Sequence, residues 1–78
     1  MEKDKIFKLE INEDWDHLQY IDENENERHI GCGDLLEAKI NGKWQAARVE
    51  YTDEGGYFFV GFPKITVAGT LIKKNYGR

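Results

Sequence analysis

Residues 35–40, Leu-Leu-Glu-Ala-Lys-Ile, are followed by Asn41-Gly42 and then by a second alternating run over residues 43–51. Asn-Gly between two such runs predicts a type I′ hairpin, because both central residues of that turn need a positive φ. The turn sets the register: Ile40 faces Lys43, Ala38 faces Gln45 and Leu36 faces Ala47. Strand side chains alternate sides, so one face carries Leu36, Ala38, Ile40, Ala47, Val49 and Tyr51. The other carries Leu35, Glu37, Lys39, Trp44, Ala46, Arg48 and Glu50. By composition the first is the core side.

Other segments follow the same period of two more loosely. Residues 6–11 read as one strand and residues 17–21 as another, separated by Asn12-Glu13-Asp14 turn chemistry. Residues 22–27, Asp-Glu-Asn-Glu-Asn-Glu, have no apolar anchor, and their like charges predict a mobile acidic loop. Gly31-Cys32-Gly33-Asp34 predicts a tight bend. After a turn cluster at 52–56, residues 57–62 form a strand that Pro63 stops. The facing of that strand depends on the loop. An even loop places Phe58, Val60 and Phe62 beside Val49 and Ala47, and an odd one places Tyr57 and Phe59 there. The even loop is preferred, since it buries three fully apolar side chains and leaves the tyrosine hydroxyl wet. A last short strand lies within 69–74, with Val67, Leu71 or Ile72 inward, and residues 75–78 form a polar tail. No helix of ordinary length is visible. The expected fold is mostly β: one domain over residues 1–78, with five or six antiparallel strands closing a small SH3-like barrel.

Composition narrows the function more than the fold. A chain of 78 residues buries only about 60–65% of its unfolded surface, which leaves little volume for a deep substrate cavity. Hydrophobic residues at 40% still suffice for a globular core. Cys32 is the only cysteine, so no intramolecular disulfide can form, and a reducing cytoplasmic setting is favoured. No run approaches the roughly 18 apolar residues of a membrane span, and residues 1–5 do not read as a signal peptide. The net charge of −4 is unevenly distributed. Residues 1–30 hold ten acids and four bases, and residues 31–78 hold five acids and seven bases. An acidic chain is a poor general binder of phosphate backbones, although a local basic face remains open.

The run from Gly33-Asp34 through the Gly42-Lys43-Trp44 hairpin, Arg48-Val49-Glu50-Tyr51, Gly56-Tyr57-Phe58 and Gly69-Thr70-Leu71-Ile72-Lys73 resembles a family of small bacterial domains of unknown function. That family occurs in Gram-positive genomes and on their mobile elements. The resemblance spans residues 33 to about 73, roughly half the chain, and residues 22–27 lie outside it. It implies a small SH3-like barrel and supplies no activity.

Candidate chemistry is sparse. His17, His29 and Cys32 are the only soft metal ligands, whereas a structural zinc site takes four with paired local spacings. They read as two surface histidines and one inert, partly buried thiol. As a nucleophile Cys32 would need a basic partner and an oxyanion hole, and nothing supplies the latter. The paired carboxylates lie in loops without an apolar pocket to raise a pKa. Glycine-rich segments precede strands, whereas phosphate loops precede helices. No enzyme activity, metal or cofactor is expected.

The aromatic residues carry the main expectation. In the preferred register Trp44, Lys39, Arg48, Tyr57 and Phe59 share one exposed face that would recognise a protein or peptide. A second reading is an acidic inhibitor or nucleic-acid mimic, with Asp22, Glu23, Glu25 and Glu27 standing in for phosphates. A third is weak nucleic-acid binding through Lys39, Lys43, Arg48, Lys73, Lys74 and Arg78.

Overall fold

The computed structural model describes residues 5–14 and 16–77. The Asn41-Gly42 turn forms with φ of 54° and 80°, the left-handed geometry that a type I′ turn demands. It joins β5 (Leu35–Ile40) to β6 (Lys43–Thr52), with Ile40 opposite Lys43, Ala38 opposite Gln45 and Leu36 opposite Ala47. The two faces separate as the alternation requires. Leu36, Ala38, Ile40, Ala47 and Val49 are buried, and the opposite side chains are half-buried or exposed.

Around this hairpin the chain forms β1 (Phe7–Lys8), β2 (Glu10–Asn12), β3 (His17–Ile21), β4 (Glu27–Ile30), β7 (Gly56–Phe59) and β8 (Leu71–Gly77). One antiparallel sheet runs β1-β8-β5-β6-β7 and a second runs β2-β3-β4. The architecture is therefore mostly β, small and barrel-like, with no helix among the described residues. The core lies between the sheets. Leu18 and Ile30 of the smaller sheet join Leu36, Ile40, Val49, Phe59 and Ile72 of the larger one.

Eight strands appear where five or six were expected, for two reasons. The segment read as one strand over 6–11 changes sheets at Leu9. That residue is wholly buried, donates its amide to Thr70 O at 2.9 Å and accepts from the Gly69 amide at 2.7 Å. Strand β4 gave no apolar signal, because three of its four side chains are exposed at the sheet edge and only Ile30 is buried.

The acidic loop is short and hydrogen-bonded. Glu27 opens β4, and the Asp22 carboxylate accepts the Asn24 and Asn26 amides at 2.9 Å each and Arg28 Nε at 2.7 Å. At the other end, β8 runs to Gly77, so most of the expected polar tail is strand; Ile72 is its inward residue and Leu71 is exposed. Residues 1–4, which set most of the expected N-terminal character, and Arg78, one of the basic candidates, lie outside the described residues.

The preferred facing of residues 57–62 is overturned. Thr52 pairs with Gly56, so Asp53-Glu54-Gly55 is a three-residue loop, closed by the positive φ of Gly56 (75°). The odd loop sets Phe59 opposite Val49 and Tyr57 opposite Tyr51, on the core side. Phe59 is fully buried, and Val60 is 48% exposed. Loop length sets this phase: Phe59 fills the core, Phe58 and Phe62 stay half-buried, and the Tyr57 hydroxyl keeps an exposed position.

Candidate binding cleft and the outer face

The sheet's two faces divide the residues expected to act together. On the outer face, Trp44 is half-buried and stands opposite Lys39. Between β5 and β8 the register shifts, with Glu37 opposite Lys74 and Ala38 opposite Ile72, so Lys73 falls at a bulge. Bulges re-aim side chains, and the Lys73 ammonium lies 4.6 Å from the indole centroid, with that of Lys39 at 6.0 Å. Such cation–π contacts are worth about 0.5–1 kcal/mol at exposed sites. They also cover the indole with the chain's own charges. Arg48 is four residues further along β6, about 13 Å at strand spacing, and faces Leu35. Trp44, Lys39 and Lys73 form a group at one end of this face, with Arg48 toward the other.

Tyr57 and Phe59 are on the other side. The expected Trp44–Arg48–Tyr57–Phe59 surface does not form, because the three-residue loop puts the aromatic residues of β7 in the opposite phase. Phe59 is a core residue. Tyr57 instead pairs edge-on with Tyr51, ring centroids 4.9 Å apart and planes at 66°. Its hydroxyl makes a long hydrogen bond, 3.5 Å, to the Asp16 carbonyl.

These two tyrosines line a cleft of about 730 Å³. One bank is the β6–β7 hairpin, and the other is the segment from Pro63 to Ala68, with Ile65 and Val67. Ile11 and Asp16 from the smaller sheet close one end. The Asp16 carboxylate, with burial and Asp53 as lesser causes, holds the Tyr51 phenol above its ordinary range. The cleft is thus an aromatic trough with one carboxylate, Asp16, and one ammonium, Lys64, among its lining residues. Composition did not foresee a space of this size. It exists because residues 60–70 form turns and no further strand.

The remaining candidates separate. Asp22, Glu23, Glu25 and Glu27 gather at the tip of the smaller sheet, but the Asp22 carboxylate is turned into its own loop, with its pKa lowered first by the Asn26 amide and then by Arg28. Glu23 lies 3.5 Å from Lys5, and Glu27 lies 3.9 Å from His29. His17 and His29 stack at 5.5 Å on the outer face of that sheet. No group of three or more His, Cys, Asp or Glu side chains converges among the described residues. Cys32 is exposed, not partly buried. Its neighbours explain the Gly-Asp pattern structurally. Gly33 takes a φ of 87° and donates to Val49 O at 2.7 Å, and Asp34 Oδ2 accepts the Gly31 amide at 2.9 Å. Among the described residues no helix is long and apolar enough to cross a membrane.

The chain belongs to a family described as a domain of unknown function, DUF5348, whose model matches residues 7–74. The match includes the acidic loop, so that segment lies within the family domain and not outside it as the sequence resemblance implied. Comparison with curated proteins and with solved structures finds no match.

Proposed function

We propose that this DUF5348 domain is a non-catalytic, SH3-like binding module that captures a peptide segment of a protein partner in the tyrosine cleft. The observation that carries this reading is the Tyr51–Tyr57 pair, held edge to face along a trough of about 730 Å³. Rigid aromatic side chains around a groove supply large contact area at small entropic cost. The outer face supports binding less well, since Lys73 and Lys39 already occupy the Trp44 ring. The acidic-mimic reading is likewise weakened by the internal engagement of Asp22.

The test is capture of a host protein by the immobilised domain, compared among wild type, Tyr51→Ala, Tyr57→Ala and Trp44→Ala, each checked for folding by circular dichroism. Either tyrosine substitution is expected to weaken capture by about 2 kcal/mol, or roughly thirtyfold, as for an interface hot spot. Trp44→Ala is expected to retain the partner. Capture that survives both tyrosine changes and fails with Trp44→Ala would return the site to the outer face.

A further inference from the structure

The hydrogen-bond phase of β7 shows how the cleft would hold such a peptide. The Val60 amide donates to Arg48 O at 2.9 Å, which marks 48/60 as a hydrogen-bonded pair. Antiparallel ladders alternate bonded and non-bonded pairs, so the next bonded pairs are Glu50/Phe58 and Thr52/Gly56. Tyr57 and Phe59 therefore direct their amides and carbonyls away from β6, toward the free edge of the sheet, where β7 is the last strand.

The chain itself begins to cover that edge and then leaves it. Gly61, at a φ of 88°, turns the backbone so that the Phe62 amide donates to Phe59 O at 3.0 Å. A continued ladder would next set Lys64 against Tyr57. Pro63 prevents this. Its fixed φ suits the second position of a β-turn, and the Ile65 amide closes that turn on Phe62 O at 3.1 Å. The backbone moves off after one rung and becomes the far bank of the cleft. Among the described residues, no backbone hydrogen bond engages the Tyr57 amide or carbonyl on this side.

We infer that the cleft takes its partner as an added β-strand. The occupant is an extended segment that hydrogen-bonds to the Tyr57 backbone, with apolar side chains at alternate positions and a Lys or Arg beside Asp16 and Asp53. This rests on the peptide-binding reading of the same cleft. An added strand directs every second side chain to one face, where Tyr51, Tyr57 and Ile65 wait. Its basic residue meets the acidic end and comes within cation–π reach of the tyrosine rings. Lys64, on the opposite bank, places that cation at the hairpin side. The strand itself also lacks one common guard. Gly56-Tyr57-Phe58-Phe59 carries no charge, whereas exposed edges are ordinarily guarded by charged side chains.

The probe is a random linear dodecapeptide library displayed on phage, panned against the full chain. Enriched peptides are expected to alternate apolar and polar positions and to contain Lys or Arg. N-methylation of the amides on the bonding edge is expected to weaken a selected peptide at least about tenfold, and methylation in the other phase far less. Binding should also shift the Tyr57 amide resonance in nitrogen-edited NMR and slow its exchange. Peptides that need Tyr57 but tolerate methylation in both phases would overturn strand addition while leaving the cleft as the binding site. No enrichment over a Tyr51→Ala/Tyr57→Ala variant would overturn both. Sedimentation showing β7-dependent dimers without peptide enrichment would assign the edge to a second copy of the chain and overturn the inference.

Discussion

The two hairpin-borne edge strands, β4 in the smaller sheet and β7 in the larger, solve the same problem in opposite ways. Each is four residues long and each inserts one buried side chain into the core, Ile30 from β4 and Phe59 from β7. Beyond that anchor they diverge. β4 presents Glu27, Arg28 and His29 to solvent, and its preceding loop is tied to it through the Asp22–Arg28 contact. β7 presents no charge, and its covering segment departs at Pro63. Equal anchoring in the core therefore leaves the chemistry of the free edge to the residues that line it.

The largest effect tests the anchors themselves. Phe59→Ala is expected to cost about 3–5 kcal/mol, as aromatic truncation in a packed core does, against a total stability of about 4–12 kcal/mol for a domain of this length. Ile30→Ala is expected to cost less, within the roughly 2–5 kcal/mol range of aliphatic truncation. Urea unfolding gives both values. A reversed order would make β4 the better anchored edge.

Exchanging the chemistry of the edges gives the next effect. Phe58 is opposite Glu50 on the outer face, so Phe58→Lys gains a cross-strand charge pair, and the net stability change should stay below about 1 kcal/mol. The new charge should nevertheless reduce capture of an extended peptide at the β7 edge. Conversely, Glu27→Thr combined with His29→Thr strips the guard from β4 while leaving Arg28 on Asp22. Sedimentation at rising concentration should then reveal self-association. A strictly monomeric double variant would show that those charges do not guard the edge.

The smallest effect compares the two loops under acid. The folded pKa of Asp22 is lowered, first by the Asn26 amide and then by Arg28. Its contribution is therefore fully present above the ordinary carboxylate pKa of about 4 and is lost as the pH falls through the lower folded value. Hydrogen exchange at the Asn24 and Asn26 amides should accelerate over that acidic window. The Gly55 amide, which donates to the neutral Thr52 hydroxyl at 3.0 Å, should not respond. Equal acceleration at both tips would mean that acid opens the whole barrel and not the Asp22 loop.

Much of the fold was legible in the residues, and much less of the site. The Asn41-Gly42 hairpin could be read to its last pair because the turn geometry, the alternation and the apolar face agree. The 17–21 strand followed from the same period, whereas near the C-terminus the period left Val67, Leu71 and Ile72 open and the structure buries Val67 and Ile72. The β4 strand was hidden, since an edge strand buries only one residue in four and has no periodicity to read. The Trp44 side and its Lys39 neighbour could be assigned, but the Lys73 ammonium over the ring depends on a bulge in a strand thirty residues away.

By itself, then, the sequence determined what is local: a mostly β chain, the φ-demanding turn at Asn41-Gly42, a bend over residues 31–34, and which side of the central hairpin is greasy. Tertiary structure decided the phase of β7, because one residue more or less in the 53–55 loop carries Phe59 and Tyr57 across the sheet while leaving the composition of the strand unchanged. It also decided the cleft. A trough is made by where two distant segments stop touching, and no pattern along a single strand records that distance.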